Sequence, residues 1–169
     1  MPVGAKVSQQ KLRLTYVETF IFGITSGWRG ELRFIFTYNQ KQFSLKSNDW
    51  KHNGKPFYSK DLSNDTAKVN LAKEALDKIP KLLFEKKGSF TQYGSCAPCV
   101  DGTEANIYFK LSDGTIKEFV INPRSTPKEG VPKVVSDYAK FISKQARCIH
   151  RDEYFILEEM FEKLMKQKK

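Results

Sequence analysis

Residues 104–121 read EANIYFKLSDGTIKEFVI. Ile107, Phe109 and Leu111 alternate with less apolar neighbours, which is the two-residue period of a half-buried strand. Ser112, Asp113 and Gly114 interrupt the pattern, and a second β-rich run follows. Asp-Gly between two such runs is the strongest short-range hairpin signal. On the second run, Ile116 with Phe119 or Val120 is expected to face the core. A hairpin means antiparallel pairing, and this one sets the fold class.

The N-terminal third repeats the theme. Over residues 12–24, Leu12, Leu14, Tyr16, Phe20, Phe22 and Ile24 fall on one side of a period-2 pattern, with Thr15, Val17 and Thr19 on the other. Residues 25–30 contain Ser26, Gly27, Trp28, Arg29 and Gly30, a turn-forming connection. Leu32, Phe34, Phe36 and Tyr38 then alternate over residues 31–38. Asn39, Gln40 and Lys41 turn the chain, and residues 42–45 offer a third short strand. Residues 46–64, with Trp50, His52, Gly54 and Pro56, carry no period and read as a polar loop.

Three helices complete the pattern. Val69, Ala72, Leu76, Ile79 and Leu83 keep helical spacing over residues 65–85, with Asn64 or Asp65 as N-cap. Pro80 removes a hydrogen bond and crowds the preceding turn, so an end or kink is expected near Ile79. Pro132 suits the first turn of a helix reaching about Arg147, with Val134, Val135, Tyr138, Phe141 and Ile142 as its apolar face. A last helix over residues 152–166 would bury Tyr154, Ile156, Leu157, Met160, Phe161 and Leu164. The expected order is β-β-(β)-α-β-β-α-α. That is an α+β domain: an antiparallel sheet of two hairpins with helices packed on one face. Residues 1–11 form an N-terminal tail and residues 12–169 a single domain.

Composition bounds the rest. The chain has 169 residues, 40% hydrophobic and 28% charged, a globular balance that excludes a disordered chain. No apolar run approaches the ~18 residues of a spanning helix, and the N-terminus lacks a signal-peptide core. The expected compartment is periplasmic or extracellular if a leader was removed, and cytoplasmic otherwise. The net charge is +10. Residues 1–60 hold ten basic and three acidic side chains, so they are the expected contact for nucleic acid or another polyanion.

Chemistry-bearing residues are few. Cys96, Ala97, Pro98 and Cys99 form a CxxC, but Val100, Asp101, Gly102 and Thr103 follow it where a redox helix would be needed. Cys96, Cys99, Cys148 and His150 make a donor set of the tetrahedral zinc type. A Cys96–Cys99 disulfide is the alternative in an oxidising compartment. With no Walker loop, GxGxxG, HExxH or nucleophile elbow, no catalytic residue is assigned and no cofactor other than zinc is implied. The expectation is a non-enzyme. Trp28 and Arg29 at a glycine-flanked tip, with Arg33 and Trp50, are the candidate partner-binding residues.

The motif at residues 27–30, the following helix, and residues 96–101 before Ile107, Tyr108 and Phe109 resemble small uncharacterised secreted or lipoprotein domains of Bacteroidetes-type bacteria. More distantly, residues 23–30, Asp101 and Tyr108 are similar to the emfourin type of small protease inhibitor. The resemblance covers residues 12–145. It implies a non-catalytic domain acting outside the cytoplasm, with inhibition of a secreted enzyme as its specific form.

Overall fold

The computed structural model describes residues 17–26, 33–40, 42–50, 56–94, 103–149, 163 and 166–167. The chain forms a mixed α+β fold, a seven-stranded sheet with helices against it. The strands are β1 Val17–Ser26, β2 Arg33–Asn39, β3 Ser44–Trp50, β4 Pro56–Asp61, β5 Phe90–Tyr93, β6 Thr103–Leu111 and β7 Ile116–Ile121. Helices α1 Thr66–Asp77 and α2 Lys81–Glu85 separate β4 from β5, and α3 Lys133–Ile149 follows β7. The sheet order is β4-β3-β2-β1-β6-β7-β5. Every pair is antiparallel except β5 with β7.

The central pairing is β1 against β2 and β6. Phe20, Phe22 and Ile24 pair with Tyr38, Phe36 and Phe34 on one side and with Phe109, Ile107 and Ala105 on the other. Phe20, Phe22, Phe36, Tyr38, Ile107 and Phe109 are buried almost completely. Rings stack along and across strands, with Phe20–Phe22 centroids 5.0 Å apart and Phe22–Phe36 5.4 Å apart. α1 lies over β2 and β3, and α3 lies over β1, β2 and β6, all on this face.

Several expectations need correcting. Val17 is buried, although the alternation placed it opposite Phe20; a register shift between Val17 and Thr19 moves the phase by one residue. The segment read as a polar loop holds most of β3 and all of β4, and Trp50 is the last residue of β3, paired with Pro56. These polar strands are recruited by meander pairing at a sheet edge, where no inward apolar stripe is demanded. β5 was not anticipated; it adds a parallel edge strand beyond the two hairpins.

The second hairpin forms, but Ile116 is exposed and Lys117 takes the inward position. Register decides this. Lys117 pairs with Phe109, and Phe119 pairs with Ile107, and cross-strand partners share a face. The Lys117 stem is therefore buried, and its amine donates to the Lys86 carbonyl at the end of α2. Val134 is also exposed, so the inward face of α3 is Val135, Tyr138, Ala139, Ile142, Ala146 and Ile149. The helix over residues 65–85 breaks where Pro80 requires, into α1 and α2. Asp65 caps α1 by accepting from the Lys68 N–H at 3.1 Å. The helix expected over residues 152–166 lies outside the described residues apart from Lys163 and Lys166, whose backbone is helical.

Candidate functional site

The sheet has two dissimilar ends. β1 and β2 pair up to Thr25 and Arg33, β1 and β6 up to Ser26 and Thr103, and β3 and β4 up to Trp50 and Pro56. β5 finishes at Tyr93 opposite Ile121, which itself pairs with Ala105 near the start of β6. The connections over residues 27–32, 51–55 and 95–102 therefore leave the sheet at one end. Arg33 opens β2 and Trp50 closes β3 at this end. Trp28 and Arg29 belong to the first connection and Cys96 and Cys99 to the third. These four and His150 lie outside the described residues.

Cys148 is placed elsewhere. β4 finishes at the opposite end of the sheet, where the Leu62 N–H donates to the Leu45 carbonyl at 2.7 Å, and α1 starts there. α3 runs antiparallel to α1: Tyr138 bonds the Ala75 carbonyl, and Gln145, further along α3, bonds the Leu71 carbonyl, nearer the start of α1. The C-terminal turn of α3 thus returns to the end where α1 begins. Cys148 is a free, exposed thiol on that turn, while Gly94 and Thr103 bracket the CxxC at the other end. No cluster of three or more His, Cys, Asp or Glu suited to a metal occurs among the described residues.

Comparison with protein-family models, with curated proteins and with solved structures returned no match. The geometry of this chain alone therefore carries the functional argument. Among the described residues no helix is long and apolar enough to cross a membrane.

Two surfaces stand out. One is the sheet face away from the helices. Lys46, Thr37, Ile21, Tyr108, Glu118 and Phe90 are successive cross-strand partners and form a row across it. Ile21 and Tyr108 are partly exposed, and Phe90 is 55% exposed. The other lies on α3, where Lys140, Lys144, Arg147 and Cys148 line a cavity of about 350 Å³. Sequence reasoning did not single out this cation group, because it weighed charge over a long stretch, residues 1–60, rather than along one helix face. The signal was present in residues 133–149: basic residues four and three apart with no acid interleaved after Asp137.

The corner between β4 and α1 is rigidly bonded. Asp61 accepts from the Ser63 hydroxyl at 2.5 Å and from the Ser63 N–H at 3.0 Å, and these bonds hold its carboxyl below the usual range. The Ser63 oxygen in turn accepts from the Leu45 N–H at 3.0 Å. These groups satisfy backbone at a chain reversal and are structural.

Proposed function

We propose that this chain is a non-catalytic binding module that makes protein–protein contact at the loop-bearing end of its sheet. Trp28 is the anchor, Arg29 and Arg33 form the charged rim, and Trp50 adds a second aromatic. The reading is supported above all by the departure of three connections from the same end of a broad sheet. Loops on a rigid scaffold are where binding residues concentrate. The pairing of β1 with β2 up to Thr25 and Arg33 makes the first connection a hairpin between two central strands, so its ends are held at little ordering cost. Inhibition of a secreted enzyme, with this hairpin in the enzyme's cleft, is the specific form of the proposal.

The alternative is polyanion binding by residues 1–60. It is favoured by their basic excess and by exposed Lys46 on the open sheet face. One experiment separates the two. The protein and its Trp28→Ala variant are immobilised and challenged with secreted proteases and with single-stranded oligonucleotide at low and high salt. Protein binding that weakens about 30-fold in the variant and little with salt supports the proposal. Oligonucleotide binding that falls steeply with salt and ignores Trp28 supports the alternative.

A further inference from the structure

We infer that Lys140, Lys144 and Arg147 form an anion site on α3 for a ligand carrying paired phosphate groups. The inference starts from a contrast between lysines. On the helices, Lys78 bonds Glu74 at 3.0 Å, Lys81 bonds Glu85 at 3.4 Å, and Lys133 bonds Asp137 at 2.7 Å, each four residues apart. Lys140 has Asp137 three residues before it and Lys144 lies near Glu74 of α1, but each of these carboxylates is already bonded by another lysine, Lys133 or Lys78, and Arg147 has no acid three or four residues away within α3. They nevertheless stand on one stripe of the helix, exposed, around one cavity.

Like charges three and four residues apart on a helix repel by a few tenths of a kcal/mol per pair, where opposite charges would attract by as much. The Lys140–Lys144 and Lys144–Arg147 pairs therefore carry repulsion that Asp137 and Glu74, each shared with another lysine, offset only in part and that a bound anion relieves. Arg147 has another rationale, since a cation in the last turn favours the helix dipole. That effect fades within one turn and does not reach Lys140 or Lys144.

The dimensions select the ligand. Lys140 and Arg147 are separated by roughly 10 Å along the axis at 1.5 Å per residue. One phosphate would draw the outer two side chains inward along the helix, whereas two linked phosphates match the extended spacing of the three cations more closely. Arg147 offers the planar fork that grips phosphate oxygens in pairs, and the two lysines act as point charges. The depression is open to solvent and, at about 350 Å³, has room for a ligand of diphosphate size. The paired phosphates can come from a small polyphosphate or from a nucleic-acid backbone. Cys148 lines the same cavity and reports its occupancy.

The test measures alkylation of Cys148 by iodoacetamide at peptide level, which separates it from Cys96 and Cys99. Pyrophosphate is titrated against sodium chloride of equal ionic strength. At ten times its Kd a ligand covers about nine tenths of the site, so alkylation should slow about tenfold. The Lys140→Gln/Lys144→Gln/Arg147→Gln variant, checked for an unchanged far-UV CD spectrum, should lose this protection. A short single-stranded oligonucleotide protecting at far lower concentration than pyrophosphate assigns the phosphates to a nucleic-acid backbone; equal or weaker protection assigns them to a small polyphosphate. Alkylation of the wild-type protein that neither pyrophosphate nor oligonucleotide slows, or that sodium chloride slows equally, overturns the inference. So does protection that persists in the folded variant.

Discussion

The Tyr138 hydroxyl of α3 donates to the Ala75 carbonyl of α1 at 2.6 Å, in the buried seam between the two helices. The bond answers a need created by sequence. α1 stops at Asp77, and Pro80 has no N–H to return to the helix end. The Lys78 N–H serves the Glu74 carbonyl and the Ile79 N–H serves that of Leu76. The Ala75 carbonyl is served from another helix. Tyr138→Phe keeps the ring and removes the donor, leaving a buried acceptor unsatisfied. The expected loss is about 1–3 kcal/mol, read as a lower denaturant midpoint at unchanged slope. A loss under a few tenths would contradict this role.

Gly94 ends β5 with φ +76°, and a Cβ built there would lie 1.9 Å from the Ser125 hydroxyl oxygen. Gly114 in the second hairpin has φ +91° with nothing near its absent Cβ. The two Gly→Ala variants therefore separate strain from collision. Gly114→Ala should lose about 1–2 kcal/mol, the cost of a left-handed residue with a Cβ. Gly94→Ala adds a clash with buried Ser125 and should lose clearly more. Thermal midpoints that coincide would refute the distinction.

Legibility followed burial. Phe20, Phe22, Phe36, Tyr38, Ile107 and Phe109 were readable because strands with one covered face must alternate, and the Asp65 cap and Pro80 break because backbone chemistry leaves little choice. β4 was not readable: an edge strand is stabilised by its neighbour's backbone, and its polar residues carry no period. Ile116 and Lys117 were exchanged because register, which only the partner strand supplies, outranks hydrophobicity at one position. Val17 was misplaced by a bulge. For the candidate site, the sequence offered Trp28, Arg29, Arg33, Trp50 and the cysteines as separate features. It did not hold the topology that sends three connections to one end of the sheet and returns Cys148 to the other.

Phe43 sits between β2 and β3 with φ +47°, a left-handed conformation unusual for a bulky residue, and is 61% exposed. The Lys73 amine lies 5.2 Å from its ring centroid. An exposed cation–π contact is worth about 0.5–1 kcal/mol, against about 1–2 kcal/mol of backbone strain. Asparagine tolerates this conformation, so Phe43→Asn should gain roughly 0.5–1 kcal/mol in a denaturant titration. A destabilised variant would mean that the ring contributes more than its contact with Lys73.

Stability should be flat across neutral pH and fall on both sides for separate reasons. Hydrogen bonds from Ser63 to Asp61, from Lys78 to Glu74 and from Lys133 to Asp137 hold these carboxyls below their ordinary values. Their folded pKa lies below the unfolded one. Each contribution is therefore present above the unfolded carboxylate range and is lost as pH falls through the folded values. All three groups are exposed, so the acid limb should be shallow, and salt should weaken the Glu74 and Asp137 parts more than the hydroxyl bond to Asp61. Burial raises the phenols of Tyr38 and Tyr93. The unfolded tyrosines ionise first, so stability falls as pH rises past the ordinary phenol value of about 10. Thermal midpoints measured across pH should form a plateau from roughly pH 5 to 9. Asp61→Asn should flatten the salt-resistant part of the acid limb, and Tyr38→Phe should delay the alkaline one. A decline beginning at pH 6–7 would refute this assignment, because none of these groups titrates there.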